Sequence, residues 1–225
     1  MGLIRALTAK PWTQTAEDLP AWGRLPQPTP WVGLCVFLAV VTTLFLLLAS
    51  AYLMRMVLGD WVPMPVPPLL WLNTLLLVVG CVALHGAWSS ARRGRRAAVR
   101  TGFLIGGGCT LAFLAGQLVA WRQLAAVGYL VATNPANTFF YLLTALHGLH
   151  LLGGLVAWGR TAIRLGPEAD VFRMRQSIGL CAVYWHFLLL VWVVLFALLL
   201  ADDAGAASMA EIIRSICYGG IPGTR

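Results

Sequence analysis

Acidic residues are scarce in this sequence, and where they are missing says more than their number. Only 8 Asp and Glu occur among 225 residues, and charged residues of all kinds make up 11%. An ordinary soluble domain carries about a quarter. All eight acids (Glu17, Asp18, Asp60, Glu168, Asp170, Asp202, Asp203 and Glu211) lie outside the long apolar runs. Proton relays and ion-coupled transporters need ionisable groups at membrane depth, so transport is disfavoured. The 5 cysteines form no CxxC pair, and four of them sit inside apolar runs, where cysteine behaves as a small hydrophobe. No phosphate loop is present, and no residue stands out as a nucleophile with its base. No removable signal peptide is expected before Pro11, because no charged start leads into a short apolar core and small-residue cleavage site.

What the sequence has is hydrophobicity, 60% of residues with mean hydropathy +0.80. Five apolar runs, near 31–54, 69–91, 101–121, 138–159 and 178–201, each supply roughly the twenty residues that a membrane-spanning helix needs. The expected fold is an all-α bundle of five transmembrane helices over 31–201. An irregular arm, 1–30, precedes it and a tail, 202–225, follows. In the tail, Ser208 and Glu211 have capping-box spacing, and Met209, Ile212, Ile213 and Ile216 share a face, so a short amphipathic helix is expected there. Pro63, Pro65, Pro67 and Pro68 stiffen the first connection. The third run can be continued past Arg122 towards Leu130.

The net charge of +8 bears on orientation more than on nucleic acid, which is not an expected partner. Twelve Lys and Arg fall in the arm and in the second and fourth loops; Arg55, Arg122, Arg214 and Arg225 fall on the other side. The positive-inside rule then places the N-terminus in the cytoplasm and the C-terminus in the periplasm. Gly108, Ala112, Gly116 and Ala120 recur every fourth residue along the third run, a stripe suited to close helix packing.

The groups that could carry chemistry inside the membrane are few. His147 and His150, three apart in Leu146-His147-Gly148-Leu149-His150, project from nearly one face, with Gly148, Gly153 and Gly154 leaving room for a neighbour. Tyr184, Trp185 and His186 in the fifth run are the expected neighbour. His150 and His186 lie at similar depth, so they could hold a haem axially in a small b-type cytochrome. They could equally hydrogen-bond to a carbonyl, a tyrosine or a lipid phosphate. Without a carboxylate beside the HxxH pair, a non-haem metal has little to bind it. Gln117 with Trp121, and Asn73 with Thr74, give the second and third spans polar turns for which interhelical hydrogen bonds are the default explanation.

Several of these segments, taken together, resemble subunit III of haem-copper respiratory oxidases. Phe139 to Trp158 resembles the family's FF-x-LT-x-x-HGLH-x-x-GG helix. Val32 to Arg55, Pro68 to Leu76, Gly106 to Leu124 and Tyr184-Trp185-His186-Phe187 to Trp192 resemble its other signatures in the same order, and the likeness covers about 31–200 of a five-helix bacterial form. The resemblance implies a non-catalytic accessory subunit of a terminal oxidase that reduces O2 to water, in the bacterial inner membrane. It implies packing beside catalytic subunit I, with subunit II in the same complex, and bound phospholipid that supports assembly and sustained turnover. No active site and no metal or other cofactor is then expected in this chain; the haems and copper belong to subunit I. His147, His150, His186, Trp185, Tyr184, Gln117, Trp121, Asn73 and Thr74 are the structural or lipid-binding candidates. Two departures stand out: Val41 where the family usually has a buried glutamate, and Leu189 where it usually has an aspartate after WHF. Both remove acids from membrane depth and weaken any role in proton supply.

Overall fold

The computed structural model describes residues 29–58, 60–165 and 171–203, with side chains over 30–58, 60–165 and 174–201. The helix expected around Ser208 to Ile216, and all but the end of the arm, lie outside the described residues. Five helices account for the described chain: α1 (Thr29–Met56), α2 (Leu69–Arg92), α3 (Arg96–Ala126), α4 (Pro135–Arg164) and α5 (Val171–Asp203). Each is long and apolar enough to cross a membrane, and no strand occurs among the described residues.

The helices outrun the apolar segments. α3 has 31 residues and α5 has 33, about 46 and 50 Å at 1.5 Å per residue, where about 30 Å would cross the hydrocarbon. The extra turns carry Arg92, Arg96, Arg100, Arg122 and Arg164, which are good helix formers whose apolar stems can lie along the helix while the charge reaches water.

The connections are built locally. Between α2 and α3 the chain reverses through Gly94 at φ 69°, and the turn that follows α3 passes through Gly128 at φ 96°. Both values lie in the left-handed region that favours glycine. Asn134 caps α4, its side chain accepting from the Ala136 amide at 3.1 Å, with Pro135 in the first turn, an arrangement that suits a helix start. The Asn134 amide also donates to the Val62 carbonyl at 2.5 Å, tying the α1–α2 connection to the α3–α4 connection. Asp60 accepts a forked pair of bonds from Arg55. The Arg55 guanidinium holds the Asp60 carboxyl below the usual carboxylate range, so the pair persists at neutral pH and is lost only as pH falls through that lowered value.

The packing described here belongs to the unit that begins at Leu38; the first turns of α1, to Phe37, belong to a separate unit. The tightest seam is α2 against α3, and glycine makes it possible. A methyl group placed on Gly102 would lie 2.7 Å from the Ala83 carbonyl oxygen, and one on Gly80 would lie 3.2 Å from the Cys109 Cβ. One on Gly106 would fall inside the Leu84 side chain. The four-residue stripe is not this seam. Gly108 and Ala112 are exposed, Gly116 faces Asn73, and only Ala120 is buried. Four residues turn a helix through about 400°, so such a stripe drifts some 40° per step, and no single neighbour can follow it. α1 packs through aromatic and aliphatic side chains instead. Val41, Phe45, Tyr52 and Met56 form one buried cluster with Trp61, Leu143, Val191 and Leu195. Val41 is thus enclosed by apolar groups.

Candidate functional site

The polar groups of the core are organised by indole donors. Trp121 Nε1 donates to Thr144 Oγ1 at 3.1 Å, Trp185 Nε1 to Thr110 Oγ1 at 2.8 Å, and Trp192 Nε1 to Thr74 Oγ1 at 2.9 Å. Each bond joins two helices: α3 to α4, α5 to α3, and α5 to α2. Each threonine passes its own proton to the carbonyl four residues back, Phe140, Gly106 and Leu70, so both ends are satisfied without water. In hydrocarbon an unmet N–H is costly, and interhelical bonds of this kind average about 0.6 kcal/mol. Thr110 and Thr144 were not singled out in the sequence. The available signal was a threonine in mid-membrane in a chain with 10 tryptophans.

Asn73 and Gln117 meet, Asn73 Nδ2 donating to Gln117 Oε1 at 3.3 Å between α2 and α3. Gly116 is what lets them meet, because a Cβ there would lie 2.2 Å from Asn73 Oδ1. On α4, Gly154 does the corresponding work: a methyl group would lie 2.6 Å from the Tyr184 ring. Tyr184 donates its hydroxyl to the His150 carbonyl at 2.9 Å. Gly153 has open space around it and Gly148 only an ordinary contact with Leu114.

The histidines separate. His147 is fully buried among rings, with Trp192 at 5.2 Å, Phe113 at 5.8 Å and Phe45 at 6.5 Å between centroids. Neither of its ring nitrogens has a hydrogen-bond partner among the described residues. The spacing puts His147 and His150 on nearly one face, yet their surroundings differ: the slot that holds His147 is aromatic. His150 packs on Phe45 at 5.4 Å and donates Nδ1–H to the Leu146 carbonyl at 2.8 Å. His186 does not join them. It is exposed, donates Nδ1–H to the Ala182 carbonyl at 2.6 Å, and meets His85 of α2 at 5.6 Å. The two residues considered as haem ligands therefore face different neighbours, α1 for His150 and α2 for His186. Among the described residues no three His, Cys, Asp or Glu groups gather as a metal site would require.

Because nothing hydrogen-bonds to the His147 ring, replacing it with an apolar ring of similar shape orphans no partner. We expect His147→Phe to leave the thermal midpoint of the purified protein unchanged or raised, as read by scanning fluorimetry in detergent. A loss of several degrees would show that an imidazole nitrogen is bonded in the folded protein.

One polar recess lies at the other end of the fold. Arg160, Thr161 and Arg164 of α4 and Met174 and Ser177 of α5 line a cavity of about 520 Å³ where the two helices approach the segment that joins them. Two guanidinium groups beside two hydroxyls make a setting for a phosphate or carboxylate. Spacing alone did not single it out, since Arg160 and Arg164 read simply as loop-end charges.

Residues 32–201 match the family described as cytochrome c oxidase subunit III. The cytochrome c oxidase subunit 3 of Synechocystis sp. is 31% identical over 172 residues, covering 74% of this chain and 72% of that protein. That of Thermostichus vulcanus is 29% identical over 173 residues, covering 75% and 85%. A probable cytochrome c oxidase subunit 3 of Mycobacterium tuberculosis is 29% identical over 144 residues, covering 63% and 71%. With the match spanning α1 to α5 and the five spans in place, the chain belongs to the cytochrome c oxidase subunit III family.

Proposed function

We propose that this chain is a non-catalytic accessory subunit of a haem-copper terminal oxidase, packing against the catalytic subunit I in a complex that also holds subunit II. The match of the whole bundle to subunit III carries this reading. The interior supports it: Trp121, Trp185, Trp192 and Asn73 donate across helices, and the HGLH stretch places one imidazole in an aromatic box and the other against a backbone carbonyl. Haems and copper belong to subunit I, and this chain contributes a scaffold that favours assembly and sustained turnover. Val41 and Leu189 leave no acid at membrane depth in α1 or α5, so a part in proton delivery is not included. The complex sits in the bacterial inner membrane with the N-terminus of this chain in the cytoplasm, on the strength of the twelve-to-four division of positive residues.

Phospholipid binding is part of the proposal, and the Arg160–Arg164 recess supports it. On the proposed orientation it opens towards the cytoplasmic leaflet, where a lipid phosphate would meet two guanidinium groups worth about 1 kcal/mol each. Purification through a tag on this chain in mild detergent should recover subunits I and II with bound phosphorus. Arg160→Ala with Arg164→Ala should lower the phosphorus by about one phospholipid per complex while the subunits still co-purify. Unchanged phosphorus would remove lipid from this recess, and failure to recover any oxidase subunit with the wild-type chain would overturn the function. A cysteine in place of Arg95 should react with an impermeant thiol reagent from the cytoplasmic side; reaction from the periplasm would reverse the topology.

A further inference from the structure

Two imidazoles on the outside of a membrane bundle need an explanation that the scaffold role does not provide. On α2, Leu75, Val78 and Val82 form an exposed stripe that continues to His85; on α5, Val183, Leu190 and Val193 flank His186 on another. The stripes meet where the two rings touch, at 5.6 Å and 71°. His85 lies seven residues before Arg92, about 10 Å along the helix, within the apolar run of α2. Ionisable groups at that depth normally face a bundle interior or a water-filled cavity and pair with one another or with backbone carbonyls; this pair does the second but faces outward.

The chemistry of the missing neighbour can be read from the ring. A carbonyl can only accept, so in the neutral ring the His186 bond to Ala182 places the proton on Nδ1 and leaves Nε2 as a lone-pair acceptor. An acyl chain has no donor to offer it. The surface beside the pair is also low. Gly86 is exposed, with open space where a Cβ would stand, and Ser90 follows one turn later, so another helix backbone could come close. Where α2 ends, Arg92 lies over the Trp88 ring at 5.4 Å, and Arg93, Arg95, Arg96 and Arg100 follow. A second copy in the same orientation would bring two such clusters together and is disfavoured by charge.

We propose that the α2–α5 face centred on His85 and His186 is the docking surface for a transmembrane helix of a neighbouring oxidase subunit. That helix presents a hydrogen-bond donor to His186 Nε2 about 10 Å along the axis from the Arg92 end, and acidic groups at its end beside the arginines. This rests on the reading above that the chain is one subunit of an oxidase complex.

The test uses the intact complex, with a photoreactive benzoylphenylalanine placed singly at Val82 and Val183, and at the exposed Leu111 of α3 and Leu149 of α4 as comparison faces. Val82 and Val183 should give adducts with another oxidase subunit, and Leu111 and Leu149 should not. His186→Phe, an exposed change that leaves the core untouched, should lower recovery of that partner with this chain by roughly three- to fifteen-fold. Adducts to lipid only, to a second copy of this chain, or from Leu111 and Leu149 only would overturn the interface while the co-purifying complex leaves the function standing. If no oxidase subunit co-purifies with the unmodified chain, the function falls and the interface with it.

Discussion

Trp192→Ala should unfold this bundle more readily than any other single substitution we consider. The indole is fully buried and touches every helix of the four-helix group α2 to α5. It donates to Thr74 of α2, meets the Phe113 ring of α3 edge-on at 4.8 Å, lies 5.2 Å from His147 of α4, and stacks on Phe196 of its own helix at 6.3 Å and 6°. Truncation to alanine removes all four contacts at once and leaves a cavity where the helices converge, at a cost of about 3–5 kcal/mol. For a chain of this size that is a fall of roughly 6–20 °C in the thermal midpoint. Trp192→Phe separates the two contributions. It keeps most of the ring and loses the N–H, and because Thr74 retains its bond to the Leu70 carbonyl, no buried donor is orphaned. Its cost should be about 1 kcal/mol or less. The midpoints are measured on the purified complex in one detergent. A Trp192→Ala protein that melts within about 2 °C of the wild type would show that the four helices are held elsewhere.

Gly102→Val should be the second severe change, for the opposite reason. The nearest atoms to a new Cβ are the Ala83 carbonyl oxygen at 2.7 Å, the Ala87 Cβ at 3.2 Å and the Ala87 amide nitrogen at 3.3 Å. None is the tip of a flexible side chain, so the α2 and α3 backbones must separate. Overpacking of this sort costs about 1–3 kcal/mol, and parting the seam also disturbs the Gly80–Cys109 contact beside it. Gly108→Val, six residues along the same helix but with open space at its Cβ, should be nearly neutral. Recovery of folded chain from membranes and its melting midpoint read both. Equal effects from the two would mean that the α2–α3 seam is not where the glycines place it.

That pair of glycines shows what was legible in the sequence and what was not. The existence and order of five spans followed from run length and the absence of acids, since twenty apolar residues can do little else in a cell. Helix ends did not follow: the arginine-bearing turns read as loop but remain helical, because helix propensity and snorkelling side chains outlast the apolar run. Rotation about each helix axis was the larger gap. Gly108 and Ala112 looked like a packing stripe, whereas Gly102 and Gly106 form the seam, and a four-residue repeat cannot tell these apart. The same uncertainty placed His186 beside His147 and His150, when α5 instead turns Trp185, Leu188 and Trp192 inward and leaves His186 against His85. The Asn73–Gln117 pair was recoverable, because two amides at similar depth on adjacent spans have few other partners. Three-residue spacing puts His147 and His150 on nearly one face, but it says nothing about whether that face meets a carbonyl or an aromatic ring.

On the proposed function, this chain supports an oxidase without carrying its chemistry. The most direct measurement compares the oxidase purified from cells that make this chain with the oxidase from cells that lack it. In each, the reduced-minus-oxidised haem spectrum per subunit I and the rate of O2 reduction are followed through many turnovers. We expect identical spectra, similar initial rates, and a faster decline of activity without the chain. A haem band that disappears with the chain, or a Soret band on the isolated chain that is abolished by His186→Ala or His150→Ala, would contradict the account and make this subunit a cytochrome.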